Sequence, residues 1–587
     1  MYEALHMPMV DPSAATAVLV FALAMAPLLA AAACALPPTR RIGPLLVAVA
    51  AIPALAGAVL LPDATGEIAW LGIGVHVALD ATSRAFLGLA GVIWTAAGLY
   101  ALVTVETRRP RFFGFLALAM AGNLGLTVAI DPASFYTLFS MMALSTYVLV
   151  AHGPVRADED SPERAADARR SGRTYMVFTV TGEAVLLSGL FVLVTGGVPL
   201  VPLAAVLVLV AFGIKVGTPG VHGWMPVAYA AAPPAAAAAL AGSMSTSGVL
   251  GIVRFAPGGT DLPIGIGVAV MAFGLLAAFA GALVGVVQRE PGVVLAYSSV
   301  SQFGLMTIGV GAGLTSPGLW PLTVLAATVY AVHHGLAKAA LFLGGDVATR
   351  ATRRGWAVAL TALPALALAG VPLTSGSVAK IVLKEVTAAA PAPWHAALDT
   401  LLPLAAVGTT LLMVRFCYLV WRAPRPDGAV RRTPALAVAA WAALLVPVAT
   451  VIWLWPAADA VRYAAETSFT PYYLWLATWP AAAGIAVAAA VWAGRAWASR
   501  FEGVLEPGDA YAPLFARMHA FIDRREERVS GTAAPATPAV SAEERRPVAA
   551  TLLARSGVWE SGLLAWATAT SAIGALTVLL LLLAVRG

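Results

Sequence analysis

Long apolar runs recur along almost the whole of this 587-residue chain, and they constrain its fold more than any other feature. Each run holds about 20 residues, which is enough for a helix to cross a hydrocarbon core of ~30 Å. Only 11% of the residues are charged, whereas a soluble chain carries roughly a quarter. The chain is therefore predicted to be an all-α polytopic membrane protein rather than a string of soluble domains.

The spacing of the apolar runs predicts sixteen transmembrane helices. They fall at 15–36, 42–62, 82–105, 111–130, 132–152, 174–196, 200–216, 232–254, 262–287, 293–313, 318–343, 355–373, 398–421, 434–455, 472–494 and 562–584. This pattern divides the chain into six parts: 1–110, 111–254, 262–421, 422–497, 498–560 and 561–587. The second and third parts are predicted to be inverted repeats. The fifth is a polar cytoplasmic linker in which Pro513–Ser530 could form an amphipathic surface helix.

The basic residues give an independent test of the orientation of these spans. Of the 36 Lys and Arg residues, 27 lie in loops that follow odd-numbered spans. Cytoplasmic loops of membrane proteins collect basic residues, so both termini are expected on the outer side of a bacterial cytoplasmic membrane. The same rule accounts for the net charge of +6 without a nucleic-acid partner.

The sequence lacks the usual signatures of a bound cofactor or metal. Cys34 and Cys417 are the only cysteines, and both lie in apolar runs far apart in sequence. Two distant cysteines cannot hold an iron–sulfur cluster, and no phosphate loop, dinucleotide fingerprint or zinc-ligand spacing is present. No cofactor is expected in this chain, and the chain alone is therefore not expected to be catalytic.

All four lysines of the chain fall in or beside apolar runs, whereas 27 of the 32 arginines lie in loops that follow odd-numbered spans. They are Lys215, Lys338, Lys380 and Lys384. Arginine stays protonated at any working pH and cannot relay a proton, whereas a buried lysine can lose its charge. An intramembrane ammonium costs at least ~2.5–3.5 kcal/mol, so such a group is kept where it is paired or lines a wet path.

Lys215 and Lys380 each lie close to a predicted break in a helix. Pro219, Gly220 and Pro226 follow the first lysine, and Gly370, Pro372 and Gly376 precede the second. Broken helices in two halves of a membrane chain are typical of transporters built from inverted repeats. The alternative is a pair of lysines that snorkel or form structural ion pairs.

His334, Lys338 and Glu183 complete the set of candidate proton-relay residues. His334 and Lys338 are four residues apart and share one helix face. Glu183 stands alone in an apolar run, and we expect Lys215 in the neighbouring span to be its partner. A protonated or water-bonded glutamate with a purely structural role is the alternative.

Several segments together resemble the proton-translocating, antiporter-like subunits shared by respiratory complex I, membrane-bound nickel–iron hydrogenases and Mrp-type antiporters. The resemblance runs from about Leu79 to Lys384. It rests on "LDATSRAFLGLAGVIW", "GIKVGTPGVHGWMPVAYAAAPPAAAAALAG", "LAYSSVSQFGLMTIGVG", "HHGLAKAALFLGG" and "LALAGVPLTSGSVAK", in that order. The "AAAPPAAAAALAG" segment leans toward the large membrane subunit of hydrogenase-4 or formate hydrogenlyase.

The resemblance implies roles for individual residues and also shows departures. Lys215 matches the family's central lysine, His334 and Lys338 its histidine–lysine pair, and Lys380 the ionisable residue of its broken twelfth span. Three positions depart from the family pattern, with Ser140 for a glutamate, Thr246 for a lysine and Gln302 for a histidine. Either Glu183 has replaced the missing carboxylate, or the first half-channel is silent.

Three functions follow as alternatives. The first is a proton-translocating subunit of a redox-driven complex, with other membrane subunits and a peripheral redox module as partners. The second is a subunit of a cation/proton antiporter or a bicarbonate-uptake complex. The third is a scaffold that has lost conduction, which Ser140 and Thr246 favour.

Overall fold

The computed structural model of the chain describes residues 12–68, 74–156, 159–424, 433–451 and 459–494, followed by short pieces at 502–505, 508, 511 and 517–520. Within these residues the chain forms a bundle of helices and one small β hairpin.

The helices fall into two sets, before and after the middle of the chain. The first set is α1 Pro12–Met25, α2 Pro27–Ala35, α3 Gly43–Val49, α4 Ile52–Leu60, α5 Ala81–Thr104, α6 Arg109–Val128, α7 Pro132–Val150, α8 Pro162–Thr195, α9 Val201–Val216, α10 Trp224–Ala231, α11 Pro234–Ala239 and α12 Thr246–Phe255. The second set is α13 Ile264–Val286, α14 Pro291–Gly313, α15 Trp320–Arg350, α16 Arg354–Ala369, α17 Ser375–Ala388, α18 Trp394–Arg422, α19 Ala435–Thr450, α20 Asp459–Thr467 and α21 Pro471–Ala493. Short 3₁₀ turns at Val198–Leu200 and Pro317–Leu319 precede α9 and α15, and a π-helix at Leu240–Met244 joins α11 to α12.

The positions of the helices confirm the prediction of a helical, multi-pass membrane protein. Thirteen helical segments of the described residues are long and apolar enough to cross a membrane, and α16 and α19 are shorter apolar helices. These fifteen segments coincide with the first fifteen predicted spans. The span predicted at 562–584, and most of the linker at 498–560 with its proposed surface helix, lie outside the described residues, so the count of sixteen stays a prediction.

The structure adds two details that the sequence analysis does not predict. The loop between the second and third spans contains an antiparallel hairpin of β1 Ala64–Ile68 and β2 Val75–Leu79, so the fold is not purely helical. The alternating valines of β2 favour an extended strand, and its edge is held where Asp131 accepts a hydrogen bond of 3.0 Å from the His76 amide. Helix α8 begins at Pro162 rather than 174, because the Ser161 side chain caps it and proline stands at its first turn.

Both predicted helix breaks are present in the structure. Helix α9 ends at a left-handed glycine, Gly217, with φ of 75°, and α16 ends in the same way at Gly370, with φ of 79°. A left-handed residue stops an α-helix, and glycine adopts that conformation without steric cost. The chain resumes as α10 and α17, so each break leaves backbone carbonyls free to meet a charged side chain.

The helix α14, at the centre of the bundle, is packed tightly against α13. A Cβ on Gly304 of α14 would lie 2.6 Å from the Gly274 carbonyl oxygen of α13, and one on Gly281 would lie 2.8 Å from the Ser301 nitrogen. Small residues allow two helices to approach this closely inside a membrane. The polar side chains of α14 are consequently held in fixed positions.

Candidate functional site

Lys215 lies in the last turn of α9, immediately before the break, and only 7% of it is exposed. Its ammonium faces three aromatic rings, those of Phe139 at 5.5 Å, Tyr175 at 5.7 Å and Trp224 at 5.8 Å. Its Nζ makes no hydrogen bond to any residue that the structure describes. Cation–π contacts therefore stabilise the charged form, while no hydrogen bond fixes the proton there.

Glu183 of α8 lines the same small cavity as Lys215. The cavity has a volume of about 20 Å³, which is enough for one water molecule. The carboxyl group and the ammonium also interact electrostatically. The structure thus brings together the carboxylate and the lysine that the sequence analysis paired.

Ser140 of α7, at the position of the expected glutamate, lies beside Glu183. Its hydroxyl makes no hydrogen bond of good geometry within the described part of the chain. A carboxylate on α8 therefore lies next to the place where the family pattern requires one on α7. If Glu183 replaces the carboxylate that is missing from α7, it must lie at this place.

Lys338, in the middle of α15, is completely buried. Its ammonium donates hydrogen bonds to the Leu295 carbonyl, at 2.6 Å, and to the Ser298 hydroxyl, both on α14. His334, one turn earlier, packs its ring 4.8 Å from that of Phe303, also on α14. Neither of its ring nitrogens has a hydrogen-bond partner among the described residues. The predicted pair therefore shares one helix face, against α14.

Lys380 lies on α17 and reaches back to the end of α16. Its ammonium donates hydrogen bonds to the carbonyl oxygens of Ala369, at 2.6 Å, and Leu368, at 3.4 Å. A cation is stabilised at a helix C-terminus, where unpaired carbonyls and the helix dipole concentrate negative charge. The Lys380 ammonium is therefore bound at the break in the twelfth span.

His333 connects α15 to the same break. Its Nδ1 lies 2.8 Å from the Ser375 hydroxyl at the start of α17, and its ring is within electrostatic range of both Lys380 and His334. Helix α15 thus carries an imidazole toward each neighbour, His334 toward α14 and His333 toward α17.

The other two departures from the family pattern are both buried and hydrogen-bonded. Gln302 accepts a hydrogen bond from the Tyr330 hydroxyl and donates one to Thr409, each at 2.9 Å. The Thr246 hydroxyl donates back to carbonyls of its own helix, those of Ser243 at 2.8 Å and Gly242 at 3.2 Å. Neither side chain can take up the charge that the histidine or lysine would carry at these positions.

Two polar groups in the structure were not singled out from the sequence. Tyr229 hydrogen-bonds Ser245 at 2.7 Å in the interior. Asp346, near the C-terminal end of α15, accepts hydrogen bonds from Tyr100, Arg156 and Arg350 at 2.6, 3.2 and 2.9 Å. Hydroxyl residues are common in membrane helices, and charged residues are common near span ends, so only their contacts distinguish these two groups.

The arrangement provides groups that can hold a proton and pass it on, inside a water-poor bundle. One carboxyl, three amines and two imidazoles lie on α8, α9, α15 and α17, next to both helix breaks or on the helix between them. In the described ranges no group of three or more His, Cys, Asp or Glu side chains is placed to hold a metal ion. The chemistry that these side chains support is proton transfer between amines, imidazoles and a carboxylate.

Comparison with known proteins identifies the same region. A family model described as the transmembrane part of NADH:quinone oxidoreductase and Mrp antiporters matches residues 129–402. NADH-quinone oxidoreductase subunit M of Pseudomonas aeruginosa is 28% identical over 48% of this chain and 60% of its own length. Hydrogenase-4 component B of Escherichia coli is 27% identical over 45% of this chain and 43% of its own. The match thus spans about half of each relative.

Two solved structures share the fold across most of the chain. The Mrp complex from Dietzia sp. superimposes with a TM-score of 0.64 and 22% identity, over 97% of this chain and 70% of that one. The archaeal membrane-bound sulfane sulfur reductase superimposes with a TM-score of 0.62 and 20% identity, over 91% and 98%. Residues 129–402, which contain every candidate relay residue, are thus similar to the membrane subunits found in NADH:quinone oxidoreductases and Mrp antiporters.

Proposed function

We propose that this chain is a proton-translocating membrane subunit of a redox-driven, multi-subunit complex. The observation that carries the proposal is the placement of Glu183 and Lys215 on one cavity beside the first helix break. Lys380 occupies the second break, and Lys338 is fully buried on α15. Isolated ionisable groups are costly inside a membrane and mark ion pathways.

The partners are proposed from the relatives. Subunit M and component B are named as parts of larger assemblies, and we propose that other membrane subunits surround this chain in the same way. A peripheral module would carry out the redox chemistry, since no redox cofactor is expected in this chain from its sequence. We place both termini on the outer side of a bacterial cytoplasmic membrane, because the arginine-rich loops follow odd-numbered spans.

The proposal is tested on the complex purified through a tag on the full-length chain in mild detergent. Mass spectrometry identifies the partners, and the complex is then reconstituted in liposomes that contain a pH-sensitive dye. We expect redox subunits among the partners and proton flux in response to an imposed membrane potential. A wild-type complex without proton flux would contradict the proposal and favour a scaffold.

Two substitutions at one position then separate charge from proton exchange. Lys215→Met removes the amine, and Lys215→Arg keeps a charge that cannot be released. Both variants should lower the flux by about a hundredfold or more, which is what the loss of a single proton-transfer group costs. A fully active Lys215→Arg variant would show that the position needs only a charge.

Cation/proton antiport is the second candidate, favoured by the similarity to a putative antiporter subunit of Staphylococcus haemolyticus, 25% identical over 60% of this chain. Recovery of other antiporter subunits, together with flux that requires a sodium gradient, would support this second function over the first. Recovery of a soluble zinc protein would instead favour a bicarbonate-uptake complex.

A further inference from the structure

The position at which the family pattern has a lysine in the eighth span holds Thr246, whose hydroxyl is committed to its own helix. A threonine bonded in this way neither carries a charge nor reaches another helix. If protons move between Lys215 and Lys338, another group must connect the two sides of the bundle.

The π-helix at Leu240–Met244 changes which residue faces the interior at this point. A π-turn inserts an extra residue into the helix, and one residue corresponds to a rotation of about 100° in a regular helix. Thr246 is turned back onto the carbonyls of the π-helix, whereas Ser245 lies 2.7 Å from the Tyr229 hydroxyl. The irregular turn therefore presents a serine hydroxyl to α10 in place of residue 246.

Adjacent serines on α14 continue the connection toward Lys338. Ser299 interacts with the Tyr229 hydroxyl, although its own hydroxyl completes no hydrogen bond to a described residue. Ser298 accepts a hydrogen bond from the Lys338 ammonium. Neighbouring residues of a helix project about 100° apart, so one serine turns toward α10 and the other toward α15.

The Lys215 side of this path is bounded by aromatic rings. The Trp224 ring lies 5.8 Å from the Lys215 ammonium and 6.1 Å from the Tyr229 ring. Tyr175, within 5.7 Å of the same ammonium, also interacts electrostatically with Tyr229. Tyr229 is thus in contact with the surroundings of Lys215 on one side and with the serines on the other.

We propose that Tyr229, Ser245, Ser299 and Ser298, here named the hydroxyl bridge, carry protons between Lys215 and Lys338 in place of an eighth-span lysine. The inference rests on the proposed function. At least 99% of each of the four side chains is buried in the interior. Other interior hydroxyls, such as those of Thr181 and Thr361, bond carbonyls of their own helix, whereas Ser245 and Ser298 bond side chains of other elements.

Each hydroxyl group carries one proton both before and after the transfer. The Lys215 ammonium gives up one proton, each hydroxyl accepts a proton on its oxygen and releases its own, and the neutral amine of Lys338 takes the last. Water molecules relay the proton where no direct hydrogen bond joins two groups, from Lys215 to Tyr229 and from Ser299 to Ser298. No oxidant or cofactor is needed. After the transfer the hydroxyls must reorient before a second proton can follow in the same direction.

The test uses the reconstituted complex, with flux normalised to the amount of assembled chain. Tyr229→Phe keeps the ring and removes only the hydroxyl, and Ser245→Ala removes its hydrogen-bond partner. Each should lower proton flux at least about tenfold without changing which subunits co-purify. Thr246→Val is the matched control one residue away and should leave the flux within about twofold of wild type.

A second control measures the cost of removing a buried tyrosine hydroxyl in general. Tyr330→Phe loses a hydrogen bond of 2.9 Å to Gln302 and should match Tyr229→Phe in thermal stability but retain flux. Full flux in both Tyr229→Phe and Ser245→Ala, with flux abolished by Lys215→Met, would overturn the hydroxyl bridge alone. Absence of flux in the wild-type complex would overturn the proposed function instead.

Discussion

At the scale of single residues, we expect that the carboxylate beside Lys215 can be supplied by either α7 or α8. Glu183→Gln should lower proton flux by about a hundredfold, because an amide neither binds a proton nor stabilises the ammonium. Adding Ser140→Glu to that variant should restore most of the flux, since Ser140 lies beside Glu183. The dye assay in liposomes measures both.

The exchange has a control and a clear contradictory result. Ser140→Gln in the same background adds a side chain of similar size without a charge, so it should not restore flux. A Ser140→Glu, Glu183→Gln double variant that assembles normally but remains inactive would show that only α8 can carry this carboxylate.

His152, just beyond the C-terminal end of α7, should make stability depend on pH. Only 3% of it is exposed, and burial together with Arg108 and Arg111 lowers its pKa to about 4. The unfolded chain binds a proton near its ordinary value of 6.5, so stability is fully present above pH 6.5 and is lost as the pH falls toward 4. The shift corresponds to about 3 kcal/mol.

Thermal unfolding in detergent between pH 7.5 and pH 4.5 measures this loss. His152→Phe, which keeps an aromatic ring against Phe112 at 5.0 Å, should flatten the dependence within this range. An unchanged slope in that variant would assign the pH dependence to other groups.

At the scale of elements, the glycine that ends α16 determines the position of Lys380. A Cβ at Gly370 would lie 2.5 Å from the Lys380 Nζ, so Gly370→Ala should displace the ammonium from the helix end. We expect a fall in flux of about tenfold or more, together with about 1–2 kcal/mol of backbone strain.

Gly197 offers a matched control for the strain. It has φ of 63°, and a Cβ there would meet nothing closer than Pro199, at 3.9 Å. Gly197→Ala should therefore cost similar stability and leave the flux unchanged. Equal flux in both variants would show that binding of the Lys380 ammonium at the end of α16 is not needed for transport.

At the scale of the whole molecule, Asp346 joins parts of the chain that are far apart in sequence. Its side chain is 11% exposed and holds Tyr100 of α5, Arg156 after α7 and Arg350 at the end of α15. Asp346→Asn should lower the free energy of unfolding by about 2–3 kcal/mol, because two guanidinium groups lose their buried counter-ion.

The melting temperature in detergent measures this effect. Asp459→Asn removes the partner of an exposed pair, 92% exposed at the aspartate, and should change the melting temperature little. Similar melting temperatures for the two variants would show that the Asp346 cluster adds nothing to stability.

Much of the fold was predictable because a bilayer imposes strict rules on a sequence. Backbone groups in hydrocarbon must bond within a helix, so fifteen apolar helical segments, thirteen of them long enough to cross a membrane, could be located from the apolar runs. Glycines and prolines marked both helix breaks for the same reason. The hairpin at 64–79 and the polar start of α8 were missed, because outside the membrane apolar length no longer decides the structure.

The sequence by itself determined which groups can exchange protons, since every lysine and the lone Glu183 lie in apolar runs where charge is costly. Only the tertiary structure decided which of them meet. It placed Glu183 and Lys215 on one cavity and Lys380 on the end of α16. It also turned Ser245, rather than Thr246, toward Tyr229. Such contacts depend on helix rotation and packing between helices, which local sequence periodicity does not specify.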